Sequence, residues 1–422
     1  MIPLPRLFSG AVAVFALAAT SVLAAGSPAA PLLDKNGNPA GFHTLAIGDA
    51  APDFALPGID GRTYRLADFA GPDVLMVLFT SNHCPTSHSI EQRLKKLRDD
   101  LRGRSFTLVA INPNHPDGLS VDELGYGEYG DSFAEMKPYA SGLGWDFPYI
   151  YDGDTQRTAR AYGCLATPHV FIFDKDRRLR YSGGFDDSRY LDDATVKATY
   201  ARDAIEALLA GRPVAVELTK PFGCSTKWKE KHVKHVAAET AWNNAPVTLA
   251  RIDAAGVAAL RSQNPGKKYR LINVWATWCA PCVEEFPTLV AVARKFDMRN
   301  FDFITISMDE PKQEAKAQAF LQKQGAGLTK RKQDSVNKDG RTTNHYVYEG
   351  TGQDALVAAL DPAWPGPLPH TVLVDPSGKV IWRQNGPVER TAAIRAILDA
   401  IGNYWEPVAP AAKPAGAVGK TE

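Results

Sequence analysis

VWATWCAPCVEEFP, residues 274–287, decides the fold. The stretch YRLINVWA (269–276) is apolar enough to read as a buried strand, and beyond it Val283, Phe286, Leu289 and Val290 share one helical face. Cys279 therefore stands where a strand hands over to a helix N-terminus, with Cys282 one turn further on. Unpaired N–H groups and the helix dipole at such a terminus favour a thiolate, the attacking species in disulfide exchange. A second thiol one turn away can resolve a mixed disulfide from within the same chain. The same spacing would suit half of a zinc site, but no second C-x-x-C lies nearby to complete it.

Outward from this motif, FDFITIS (301–307) reads as the next strand and 313–324 as a helix. Leu368-Pro369 then precedes the strand HTVLVD, a turn at PSGK, the strand VIWRQ and a helix over 390–401. The first half repeats the order. LMVLF from Leu75 is a strand, Cys84 follows TSNH, and Ile90, Leu94, Leu97 and Leu101 recur at helical spacing. FTLVAIN (106–112) is a strand, helices are expected near 132–140 and 155–162, and Thr167-Pro168 precedes HVFIFD and LRYSG. A helix near 194–209 closes the half. Cys84 lies 84 residues before Pro168, and Cys279 lies 90 before Pro369. Equal order at nearly equal spacing implies an internal duplication of an α/β unit with a parallel start and an antiparallel end.

Length agrees: 422 residues suit two domains. We place them at 45–215 and 245–403, joined by a charged connector at 216–244. Residues 25–45 read as loosely attached, and the Pro/Ala/Gly-rich 404–422 as a disordered tail. Lys plus Arg number 48 against 47 for Asp plus Glu, which argues against a nucleic-acid partner or an anionic membrane surface. Residues 1–24 carry Arg6, an apolar run from Gly10 to Leu23 and Val22-Leu23-Ala24, the pattern of a signal peptide cut near Ala24. The expected location is periplasmic or secreted, with no stable membrane insertion. Thiols are oxidised there and disulfides persist. Five cysteines leave at least one unpaired.

The motif at 274–287, with LPHTVLVD (368–375), resembles the thioredoxin superfamily, and within it the exported, membrane-linked thiol reductases. The resemblance covers nearly all of 245–403. It implies two tandem thioredoxin-like domains, each a central mixed β-sheet flanked by helices. Cys279 would be the nucleophile, Cys282 the resolving thiol and Pro369 a cis proline. Pro287 would kink the helix, and Glu285, three residues after the second cysteine, would tune the thiol pair. Asn273 stands where thioredoxin has a buried aspartate. The implied activity is thiol–disulfide exchange, as a reductant of protein disulfides, with a membrane electron-donor protein as partner and no cofactor.

In the first half, DAAPDFALPGIDGRTYRLADF (49–69), FTSNHCPTS (79–87) and YGCLATPHVFIFD (162–174) resemble the redoxin and peroxiredoxin-like group. Cys84 matches Cys279 in position, with Ser87 in the partner place. Ser81 fits the group's hydroxyl position, while Val77 replaces its proline. Two readings follow for Cys84: a peroxidase fuelled by the second domain, or a copper- or client-binding redoxin in which His83, His88 and His169 surround the thiol. Cys164 reads as a small buried hydrophobe. GCSTKW (223–228) resembles the segment that closes the group's domain, which makes Cys224 a possible disulfide partner of Cys84. Pairing with Cys164, or a free Cys84, are the alternatives.

Overall fold

The computed structural model describes residues 33–405. The signal-peptide reading at 1–24 and the tail from 406 onward fall outside the described residues. In the first unit, strands β1 (Val74–Phe79), β2 (Phe106–Asn112), β3 (Tyr149–Tyr151), β4 (His169–Phe173) and β5 (Leu179–Gly183) form one sheet in the order β3-β2-β1-β4-β5. The first three run parallel, while β4 and β5 are antiparallel to their neighbours. Every residue of β1 is buried because both faces are covered. Leu75, Val77 and Phe79 enter one core and Val74, Met76 and Leu78 the other, as strand alternation requires. Burial of each such side chain contributes about 1.5–3 kcal/mol, which explains the unbroken apolar run.

Helix α1 (Pro85–Asp100) leaves β1 through Cys84, its N-cap. Proline at the first helical position suits that start, since its missing N–H has no partner there anyway. A second helix, α2 (His232–Asn243), leads to the second unit. There β6 (Ala250–Ile252), β7 (Tyr269–Trp275), β8 (Phe301–Ser307), β9 (His345–Tyr348), β10 (His370–Val374) and β11 (Val380–Asn385) are ordered β6-β9-β8-β7-β10-β11. Helices α3 (Ala280–Lys295) and α4 (Arg390–Ile401) pack on it. With β6 set aside, the two sheets have the same order and directions. Two thioredoxin-like α/β units in tandem are the architecture.

Several expectations need correction. The described part of the leader, residues 33–45, is docked: Phe42 meets Trp228 edge-on at 5.5 Å, and Thr44 Oγ1 donates to the Gly163 carbonyl at 2.9 Å. The connector is not free of the first unit either. Cys224–Ser225 pairs with Ala166–Thr167, and Trp228 is fully buried in the first core. At the far end, Trp405 pairs with Tyr190 and packs on Tyr126, so the tail is anchored at its start. At Phe42 and Trp228 aromatic burial outweighs a locally polar or Pro/Ala-rich composition, whereas Trp405 packs on Tyr126 while remaining exposed. The helix expected near 194–209 begins only at Tyr200, behind a single turn at Asp193–Thr195.

The units meet at the C-terminal end of α3. Arg299, just beyond it, donates to the carbonyls of Gly125 in the first unit and of Ile401 and Gly402 in the second. Gly125 approaches the Lys295 carbonyl so closely that a Cβ would lie 2.6 Å from it. Among the described residues no helix is long and apolar enough to cross a membrane.

Candidate active sites

In the second unit β7 delivers the chain to Cys279. Asp309, buried after β8, accepts from the Thr277 amide at 2.9 Å and from Ser307 Oγ at 2.6 Å. Those bonds pin the turn before the cysteines. Cys279 caps α3 and is bonded to Cys282, with S–S 2.04 Å and Cα–Cα 5.3 Å. Trp278 beside it is 62% exposed, while Cys279 is 7% and Cys282 0% exposed. The accessible sulfur is therefore Cys279. Leu368-Pro369 is cis, and so is Thr167-Pro168 in the first unit.

Glu285 lies one turn beyond Cys282 on α3 and is buried. Its carboxylate accepts from the Val388 amide at 2.6 Å and from Asn273 Nδ2 at 3.0 Å. Burial nevertheless dominates and pushes its pKa up to about 7, against those two bonds. Asn273 also donates to Thr371 Oγ1 at 2.9 Å, across the β7–β10 pairing. A carboxyl titrating near neutrality thus shares a helix and a buried region with the inner thiol.

In the first unit the corresponding thiol, Cys84, is fully buried. The partner place holds Ser87, whose hydroxyl has no hydrogen-bond partner. The second sulfur arrives from the chain that follows the domain. Register places Cys224 opposite Thr167, and the Cys224 amide donates to Cys84 Sγ at 3.4 Å. Gly223 allows this approach: at φ +153 it passes Thr167 so closely that a Cβ would lie 2.0 Å from that carbonyl. Cys84, Cys164 and Cys224 carry no disulfide. Burial pushes the Cys84 thiol up, and the Thr167 carbonyl 3.0 Å away favours its proton. The Cys224 thiol and amide, His83 and the Ser87 amide prevail and hold it well below the ordinary thiol value. The shared hydrogen bond holds the Cys224 thiol up. Cys164 is buried and pushed up to about 12, bonding the Ala166 carbonyl at 3.4 Å, so it behaves as the inert core residue expected.

The histidines divide. His88 spends both ring nitrogens on carbonyls, of Asn82 at 2.7 Å and Asn403 at 2.6 Å. His169 faces the Leu165 amide and Ser182 Oγ. Only His83 keeps a nitrogen unspent, its Nε2, while its Nδ1 lies 2.5 Å from Asp131. The three do not converge on Cys84, and no group of three or more His, Cys, Asp or Glu able to hold a metal occurs among the described residues. The copper reading is accordingly set aside. Asp131 is buried and also accepts from the Asn82 amide at 2.8 Å and Asn114 Nδ2 at 2.7 Å, while Asn114 in turn accepts from the Lys227 amide. Lys227 pairs with Glu123. None of Asp131, Asn114, Lys227 or Asp309 was singled out from sequence. They sit on irregular loops, where no periodicity marks a buried polar residue.

Comparison with known proteins separates the same two units. The model of the AhpC/TSA family matches residues 47–182 and that of the Redoxin family residues 243–401. The thiol-disulfide oxidoreductase ResA of Geobacillus thermodenitrificans is 27% identical over 136 residues, 32% of this chain and 68% of that protein. Peroxiredoxin Bcp of Escherichia coli K12 is 30% identical over 79 residues, 19% of this chain and 51% of that protein. A solved structure of an uncharacterized conserved protein from Geobacillus kaustophilus is 38% identical with TM-score 0.40, covering 44% of this chain and 95% of that one. Two matched units, two sheets of one topology and a bonded cysteine pair at a strand-to-helix turn place the chain in the thioredoxin superfamily, as an oxidoreductase with tandem redoxin units.

Proposed function

We propose that the protein is an extracytoplasmic thiol–disulfide oxidoreductase that reduces protein disulfides through Cys279 and Cys282. The observation that carries the reading is the asymmetry of that pair: Cys279 keeps a little exposure beside an exposed indole, while Cys282 is fully buried. In the reduced protein the Cys279 thiolate attacks a client disulfide, and one client sulfur leaves with a proton. Cys282 then attacks Cys279, releasing the second client thiol and restoring the pair. Glu285, able to exchange a proton near neutrality, serves the buried thiol as it ionises. An external electron donor restores the dithiol, and Trp278 is the apolar contact for either partner. The leader pattern at residues 1–24 supports the extracytoplasmic location.

Reduced protein tests this. Cys279 is expected to alkylate at least tenfold faster than Cys282 near pH 7, following thiolate character and exposure. Insulin reduction should vanish in Cys279→Ser. Retention of full activity in that variant would move the reaction elsewhere.

A further inference from the structure

The exchange reaction leaves a second set of reactive groups unused. In the first unit two thiols from positions 140 residues apart are brought into contact. Cys84 is the buried member, and Cys224 is half-buried. Beside them His83 Nε2 and Ser87 Oγ, both buried, have no partner. Asp131 holds the other nitrogen of His83.

We propose that Cys84 and Cys224 form a second dithiol–disulfide couple, entered from outside through Cys224, with His83 oriented by Asp131 as its proton carrier. The asymmetry fixes the route. A thiol or disulfide from another molecule can reach Cys224 and not Cys84. A donor thiolate attacks Cys224 Sγ, the Cys84–Cys224 bond breaks, and Cys84 leaves as a thiolate. A more acidic thiol leaves faster, and Cys84 is the more acidic of the two. The donor's second thiol then attacks the donor sulfur of the mixed disulfide. Cys224 leaves and takes up the proton which that thiol releases. The donor becomes a disulfide, and two electrons have passed to the couple.

Oxidation by a small disulfide runs in reverse. The Cys224 proton passes to the Cys84 sulfur and on to His83 Nε2, and Cys224 attacks the incoming disulfide. Cys84 then attacks Cys224; one half of the small disulfide leaves as a thiol, carrying the proton that His83 held, and the other leaves as a thiolate. Groups that favour the Cys84 thiolate stabilise the reduced form, and a stabilised reduced form makes a couple more oxidising. With Cys279–Cys282 read as a reductant, as proposed above, this couple accepts electrons relative to it.

Equilibration of the full chain with mixtures of reduced and oxidised glutathione, read by peptide mapping without reduction, tests the proposal. A Cys84–Cys224 peptide should form, and reaching half-formation should need an oxidised-glutathione fraction at least about tenfold higher than for Cys279–Cys282. Cys84→Ser should accumulate glutathione on Cys224. Asp131→Asn should shift the first midpoint by about tenfold while the second, read in the same maps, stays fixed. If Cys84→Ser does not fold, the wild-type map decides alone. Free Cys84 and Cys224 at every ratio would overturn the couple, as would a link that appears only with hydrogen peroxide. An unmoved midpoint in folded Asp131→Asn would remove the dyad from it. Because the Cys279–Cys282 midpoint is read in parallel, failure here is distinguishable from failure of the exchange activity.

Discussion

Glu285 shows how one buried residue links chemistry to stability. Its carboxyl titrates near 7 in the folded protein against 4.5 ordinarily, because burial disfavours the charge. Between those values the unfolded chain has lost a proton that the folded chain retains. Stability should therefore fall as pH rises from 4.5 to about 7 and then level off. The change amounts to at most about 3 kcal/mol, and Glu285→Gln should abolish it. Denaturant unfolding of both proteins at pH 4.5 and 8 measures it, and equal pH dependence in the two would refute the assignment. Position 285 was legible in sequence as an acid one turn past Cys282. The protonation was not, because it follows from burial beneath elements far apart in sequence; even the partners that oppose it, Asn273 and Val388, come from 12 and 103 residues away.

Among the elements, strands with continuous apolar runs and helices with apolar faces were legible, and each cysteine helix starts where its strand ends. Short pieces were not. β3 and β6 have three residues each, too few for a period to show, and they exist because longer neighbours offer them an edge. The Cys224–Ser225 pairing is shorter still, and its mark in the sequence was the resemblance of GCSTKW (223–228), which opens on Gly223. That glycine supports a prediction. Gly223→Ala should cost about 1–3 kcal/mol, since its Cβ would strike the Thr167 carbonyl. Gly211→Ala, also at positive φ but with open space, should cost less. Unfolding midpoints compare the two, and equal losses would show that Gly223 is not needed for the approach.

At the scale of the molecule, each unit carries its own thiol centre at a strand-to-helix turn. The α3 helix runs 16 residues, roughly 24 Å, from the Cys279–Cys282 end to the end that meets the first unit. Arg299 ties the units together through the Gly125 carbonyl and by lying 4.1 Å over the Tyr126 ring, while the Ile401 and Gly402 carbonyls fix it within its own unit. Arg299→Ala should weaken docking by about 2–4 kcal/mol and split a single thermal transition into two. Arg395→Ala, which removes an exposed pair with Glu128, should change stability by less than about 1 kcal/mol. A single unshifted transition in Arg299→Ala would show that the units do not depend on this contact.

The duplication itself was readable from the repeated Cys-to-Pro spacing. The docking was not, because residues such as Tyr126, Gly125 and Asn403 meet their partners only once both units are built. The reductant reading of Cys279–Cys282 is the central claim, and the reduction potential of that couple tests it most directly. Known couples of this kind span from about −270 mV for thioredoxin to about −120 mV for the strong oxidants. Equilibration with a dithiol buffer of known potential, read as the fraction of linked Cys279–Cys282 peptide, should place it near the lower end, at or below about −250 mV. A value near −120 mV would mean that the pair gives disulfides to its clients, and would contradict the account.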